Sequence, residues 1–438
     1  MTIPLNMIDE MFIHLDDPVR PLTIQLEARV EGRLDEERMR TAVQVAVRQH
    51  HLARARLKPW SADAKTYEWL VDDESQIDPF RVIESSDPAR LDDVRGDFYS
   101  RAISLVESPP FRVLLVHDPG GDLVMLAVNH TACDGVGALR LMQSVGRAYA
   151  GLADPTVDID PAEAHRLAIP TEGRGLQDRL HSGRMTVRQV TQMRGRPAKV
   201  VAKDPSPDPG YGVHTMRLPV APLVASPLRR RLGATVNDLL LAAVHRSIHE
   251  WNRQEGGSAG VIAIGMPVNA RPEAWRYETM GNLITSEVIT TTKGQRQSPE
   301  ACLAAVAGWT EAVKRRGPGP ALASQARGWQ GRVSHRRSLG KVIKVVAHLL
   351  SGTAALSNLG VVAPDWVDSA DFRVREVWVS PPTVGVGLAI GTVSMGDTLF
   401  VSMRYSPELF SKEAAAEFAA VLRTEVDLLC GEGDHPAP

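Results

Sequence analysis

The 438-residue sequence has only three cysteines, Cys133, Cys302 and Cys430. Their number is odd and they lie far apart. Neither a disulfide framework nor a zinc-ligand spacing can be drawn from them, which points to a reducing compartment. No apolar run approaches the roughly 18 residues needed to span a bilayer. Met1 to Phe12 carries Asp9 and Glu10 in place of a basic start and an apolar core, so it does not read as a signal peptide. A cytoplasmic protein without a transmembrane segment is therefore expected. An excess of one charge is missing too. Lys+Arg 50 against Asp+Glu 52 leaves a net charge of -2, which argues against a nucleic-acid partner. No Gly-x-Ser-x-Gly elbow is present, which disfavours a serine hydrolase. Gly385-Val386-Gly387 with Gly391 is not a dinucleotide fingerprint. The third glycine is misplaced and no acidic residue follows in a βαβ context. Close approach of strands is the simpler reason for these glycines.

What remains is an ordinary globular composition, 43% hydrophobic and 23% charged. The length exceeds one typical core, so two domains are expected. Leu22, Ile24, Leu26, Ala28 and Val30 alternate with polar residues as a half-buried strand does. Asp35 can cap a helix carrying Met39, Val43 and Val47. Phe111–His117 and Leu123–Val128 are apolar runs joined by Asp118-Pro119-Gly120-Gly121-Asp122, a hairpin signal. A helix follows Gly135. From about Asp154 to Val213 the pattern weakens, with one polar helix expected between Gly175 and Met193. Thr235 can then cap a helix to about Trp251, and Ser298-Pro299-Glu300 starts another. Val261–Val268, Leu283–Thr292, Thr353–Leu356, Val374–Val379, Gly385–Val393 and Leu399–Tyr405 read as strands, and Ser411 caps a closing helix. The fold class is α/β with mixed sheets. The expected division is a first lobe over 1–165, a linker over 166–213 and a second lobe over 214–438.

The segment His130-Thr131-Ala132-Cys133-Asp134-Gly135 is the most informative. A histidine leaves an apolar strand, an aspartate lies four residues on, and a glycine stands where the chain is expected to turn. An imidazole with an ordinary pKa near 6.5 can act as a general base at neutral pH. Asp134 could orient it or pair with a cation. A buried carboxylate stripped of its partner costs roughly 3–5 kcal/mol, so a cation is sought. Arg271, after the run Met266-Pro267-Val268-Asn269-Ala270, is the best candidate. Such a pair would join the two halves across a cleft.

Other candidates have plainer readings. His50-His51 suits a helix C-terminus better than a metal site. His245 and His249 are spaced for zinc but lack a carboxylate companion. Cys133 reads as a packing residue. The basic stretch from Lys314-Arg315-Arg316 through Arg327, Arg332, His335-Arg336-Arg337 and Lys341 reads as a solvated face. Its functional alternative is a dock for CoA phosphates, an acidic carrier protein or a membrane surface.

The segment from Asn129 to Gly135 resembles the HHxxxDG motif of the chloramphenicol acetyltransferase-like superfamily, which includes condensation domains and wax ester synthase/diacylglycerol acyltransferases. Pro4 to Phe12, Val236-Asn237-Asp238-Leu239-Leu240-Leu241-Ala242, Pro267 to Pro272 with Gly281-Asn282, and Ser357-Asn358-Leu359-Gly360 resemble further segments of that group, in the expected order. The resemblance implies two similar lobes in a V-shaped pseudo-dimer, with the active site in a tunnel between them. It implies that His130 is catalytic and that Asp134 is structural, paired with Arg271. Gly135 allows the turn, and Ser357 and Asn358 lie near the reacting carbonyl. One departure stands out: Asn129 replaces the first histidine.

The implied reaction is acyl transfer from a CoA or carrier-protein thioester to a hydroxyl acceptor, forming an ester. The donor is acyl-CoA or acyl-phosphopantetheine, used as substrate, with no resident cofactor and no metal. The expected partners are that donor, with an acyl or peptidyl carrier protein among its forms, and a small alcohol or amine. Peripheral membrane contact stays open. Two alternatives remain: amide formation, as in condensation domains, and a non-catalytic recruitment module, which only Asn129 favours.

Overall fold

The computed structural model describes all residues outside 60–66, 74–76, 86–87, 108, 156–196, 259, 273–274, 276–277, 317–339, 342, 344–351, 364–365, 368 and 432–438. The helix expected at 175–193 and most of the basic stretch after Arg316 lie outside the described residues.

The first half runs β1 (Thr2–Pro4), α1 (Met7–Leu15), β2 (Thr23–Val30), α2 (Glu36–Gln49), β3 (Ala55–Leu57), β4 (Glu68–Val71), β5 (Phe80–Glu84), α3 (Pro88–Ser100), β6 (Phe111–His117), β7 (Leu123–Asn129) and α4 (Gly135–Ala150). The second half runs β8 (Gly212–Pro219), α5 (Val220–Ala225), α6 (Pro227–Arg231), α7 (Val236–Gln254), β9 (Ile262–Asn269), β10 (Ile284–Thr291), α8 (Pro299–Arg316), β11 (Ala354–Val362), β12 (Val374–Ser380), β13 (Leu388–Met395), β14 (Thr398–Tyr405) and α9 (Lys412–Cys430).

Local signals set many of these boundaries. Asp35, Thr235 and Ser411 cap α2, α7 and α9 through side-chain oxygens. Thr235 and Asp238 close a reciprocal capping box. Asn6 and Asp9 do the same at α1.

Each half builds a mixed sheet, as the short turns imply. The second sheet has the order β10-β9-β11-β13-β14-β8. Its β9/β11 and β11/β13 pairs are parallel and the others antiparallel. Helices α7, α8 and α9 bury their apolar faces in the core beside it. The first sheet has the order β12-β2-β7-β6-β5. Its edge strand β12 comes from the second half of the chain and pairs antiparallel with β2. The first core therefore contains Phe372, Val377 and Trp378 next to residues of α2 and α4.

A close approach ties the sheets together. A Cβ on Gly391 of β13 would lie 2.0 Å from the Val379 carbonyl of β12, so only glycine fits there. Strand β7 holds a central place in the first sheet, with all seven residues buried. The hydrophobic run that ends at Val128 is thus a core strand, and the chain leaves it at His130.

Candidate active site

His130 follows β7 directly. Its backbone N–H donates to the Leu22 carbonyl at 2.8 Å, which continues the β2/β7 ladder by one residue. Its imidazole Nδ1 lies 3.1 Å from the Cys133 carbonyl. A carbonyl only accepts, so Nδ1 carries the proton and Nε2 keeps its lone pair. Phe12 of α1 stacks on the ring, with centroids 3.9 Å apart and planes 19° from parallel. The residue is 6% exposed. Burial pushes its pKa below the ordinary histidine value, opposed by nearby carbonyls and the charge of Asp134. Burial therefore favours the neutral form of the ring.

Asp134 sits at the N-cap of α4, and four donors saturate its carboxylate. Oδ1 accepts from the Gly137 N–H at 2.9 Å and from Arg271 Nη2 at 3.0 Å. Oδ2 accepts from Arg271 Nη1 at 2.7 Å and from the Leu283 N–H at 2.8 Å. Arg271 also donates to the Thr279 and Gly281 carbonyls. The aspartate therefore fixes the loop to the segment after β9, and no hydrogen bond from it reaches the His130 ring among the described residues. Of the two roles open to it in the sequence, pairing is the one it takes.

Gly135 requires a correction. It is the first residue of α4 and is absent from the backbone positions with positive φ. The turn does not demand glycine. A Cβ at Gly135 would lie 2.8 Å from Leu359 Cδ2, the end of a flexible side chain, so a larger residue requires Leu359 to shift. Leu359 lies where the β11 register is irregular, between Asn358 and Val361.

Asn129 makes no hydrogen bond to the His130 ring among the described residues. Its Nδ2 donates to Asp16 and to the Ile103 carbonyl, each at 3.2 Å, and its Oδ1 accepts from the Thr131 N–H at 3.0 Å. The amide thus shapes the loop without a second imidazole. Asn358 is likewise occupied. Its Nδ2 donates to Asn237 at 3.3 Å and its Oδ1 accepts from the Gly360 N–H at 2.9 Å. Ser357 pairs with Gly391 in the β11/β13 register. No hydrogen bond joins Ser357 or Asn358 to His130 among the described residues. Burial raises the Cys133 thiol well above the ordinary cysteine value, so it is a packing residue rather than a nucleophile.

One histidine of each pair has a hydrogen-bond partner. His50 lies at the end of α2 against Ser144 at 2.8 Å. His245 lies against Thr291 at 2.9 Å. Among the described residues no group of three metal-binding side chains is assembled. No helix there is long and apolar enough to cross a membrane.

Sequence reasoning placed Phe12, Asp9, Asn282 and Leu359 in family-like segments but gave none of them a role at this site. The Asn6-x-x-Asp9 capping pattern was available to place a helix at the start of the chain. Nothing local says that this helix lies on His130.

No family model matches the sequence. Two curated relatives do. "Uncharacterized protein Rv2305" and "Uncharacterized protein MT2362", from two strains of Mycobacterium tuberculosis, are each 34% identical over 435 residues, covering 96% of this chain and 98% of theirs. The chain belongs to their family. Among solved structures, the first condensation domain of the CDA synthetase matches with a TM-score of 0.69 at 15% identity, over 98% of this chain and 96% of that one. SgcC5 of Streptomyces globisporus matches with a TM-score of 0.64 at 16% identity, over 99% of this chain and all of that one. The fold is thus that of the condensation domains and of SgcC5. The two-lobe fold expected from the motif order is the fold found.

Proposed function

We propose that this member of the Rv2305 family is an acyltransferase that moves an acyl group from a CoA or carrier-protein thioester to a hydroxyl, forming an ester. One observation carries the reading: a buried His130 whose Nδ1 is held by the Cys133 carbonyl, which leaves the Nε2 lone pair to accept a proton. Nε2 removes the acceptor proton as the oxygen attacks the thioester carbonyl. The tetrahedral intermediate collapses, the C–S bond breaks, and the proton passes to the leaving thiol. His130 ends as it began, and no covalent enzyme intermediate is needed. The wax ester synthase-like segments favour a hydroxyl acceptor. SgcC5 was solved with a naphthyl ethanediol, and a hydroxyl acceptor here accords with that.

The test is thiol release from a panel of acyl-CoA and acyl-carrier donors, each offered alcohols and amines in parallel. Ester product with an alcohol supports the proposal, and amide product alone replaces it with the condensation reaction. Stable carrier binding without turnover for any pair would point to a recruitment module.

A further inference from the structure

Asn282 is 1% exposed and stands between three separate segments of the site. Its Nδ2 donates to the carbonyls of His130 at 2.6 Å and Thr131 at 3.0 Å. The same nitrogen lies 3.0 Å from Asp9 Oδ1 on the first turn of α1. Its backbone carbonyl accepts from Asn6 Nδ2 at 3.2 Å. The flanking residues grip the same loop, since the Gly281 carbonyl accepts from the Asp134 N–H and the Leu283 N–H donates to the Asp134 carboxylate. Asp9 and Phe12 are three residues apart on α1 and so share one face. Asp9 reaches the His130 backbone through Asn282, and Phe12 covers the His130 ring.

We infer that Asn282 is a positioning residue for His130: it locks the His130–Thr131 backbone to Asp9, so that α1 holds both the main chain and the ring of the base. The chemistry requires an amide. An aspartate has no N–H to offer two carbonyls and would set a second carboxylate against Asp9. An alanine would leave both carbonyls buried without a donor. This inference rests on the reading of His130 as a general base, so its test includes a measurement that needs no substrate.

The experiment compares the full-length protein with Asn282→Ala and Asn282→Ser. Proton-detected NMR of imidazole-15N-histidine protein, with His130 assigned through His130→Gln, reads the tautomer and titration of the ring. Acyl-transfer kinetics with a donor and alcohol that the wild type uses supply kcat and KM. In the wild type His130 is expected in one neutral tautomer, protonated on Nδ1. In Asn282→Ala that preference is lost and kcat falls roughly 10- to 100-fold with little change in KM, while Asn282→Ser, which keeps one donor, falls between. If Asn282→Ala does not fold, Asn282→Ser carries the comparison. A folded variant with the wild-type tautomer and kcat overturns the inference, as does failure of both variants to fold, which would make Asn282 a purely structural residue. If the wild type transfers no acyl group but the tautomer still depends on Asn282, the positioning stands and the proposed reaction falls.

Discussion

Arg271 and Asp134 meet in a bidentate ion pair at 2.7 and 3.0 Å, with both side chains essentially inaccessible to solvent. They come from opposite halves of the chain, 137 residues apart. Planar guanidinium matches planar carboxylate, and backbone donors fill the remaining carboxylate sites. The pair fixes where the loop after His130 lies relative to the second lobe.

Removing one partner should be far worse than removing both. Asp134→Asn or Arg271→Met alone leaves a buried group unmatched and should cost about 3–5 kcal/mol. The double variant should cost less than the sum of the two. Urea denaturation of the four proteins gives the coupling, and additivity would show that the pair does not act as a unit.

Much of this arrangement was readable beforehand, for identifiable reasons. A run as apolar as Leu123–Val128 must be buried, so His130 had to leave a core strand. A lone buried aspartate needs a cation, which directed attention to Arg271. What was not readable depends on chain segments that meet only after folding. Strand β12 completes the first sheet from the far end of the sequence, and neither its composition nor its length shows which sheet it joins. Gly281-Asn282 resembles a family segment, but nothing local shows that the Asn282 amide meets the His130 and Thr131 carbonyls. Gly135 sits at a close contact with Leu359 and not at a positive φ, and the two kinds of glycine look alike in sequence.

That distinction can be tested by paired substitution. Gly135→Ala sets a methyl group against the Leu359 side chain, which must shift to admit it, and should destabilise by about 1 kcal/mol. Adding Leu359→Ala vacates the space. The double variant should lose at least about 0.5 kcal/mol less than the sum of the singles. Thermal or chemical denaturation decides it, and strict additivity would place the cost of Gly135→Ala in its backbone.

The Phe12 stack should set the pH range of the reaction. Burial lowers the His130 pKa, and the base must be neutral to act, so kcat/KM should fall only below the ordinary histidine range. Phe12→Ala admits water to the ring, which favours the imidazolium, and the acid limb should move to higher pH. A pH profile of kcat/KM for both proteins reads this directly. An unmoved acid limb would mean that Phe12 does not control the environment of the base.

Acid stability should be governed elsewhere. Burial lowers the pKa of His50 to about 4 and that of His245 to about 3. Unfolded, each binds a proton near pH 6.5. Their contribution is complete above that value, and it is lost as pH falls toward the folded pKa values, where the unfolded state takes up more protons. His245→Gln keeps a hydrogen-bonding group for Thr291 and removes the titration. It should flatten the stability decline between about pH 6.5 and 4 by on the order of 1–3 kcal/mol. Melting curves across that interval test it, and an unchanged decline would assign the effect to other groups.

The most direct measurement is thiol release by His130→Ala, set against the wild type with the same donor and alcohol, with circular dichroism melting to confirm the fold. If Nε2 of His130 is the base, the variant should melt as a folded protein and lose about 100- to 10,000-fold in transfer rate. Near-normal transfer by folded His130→Ala would contradict it.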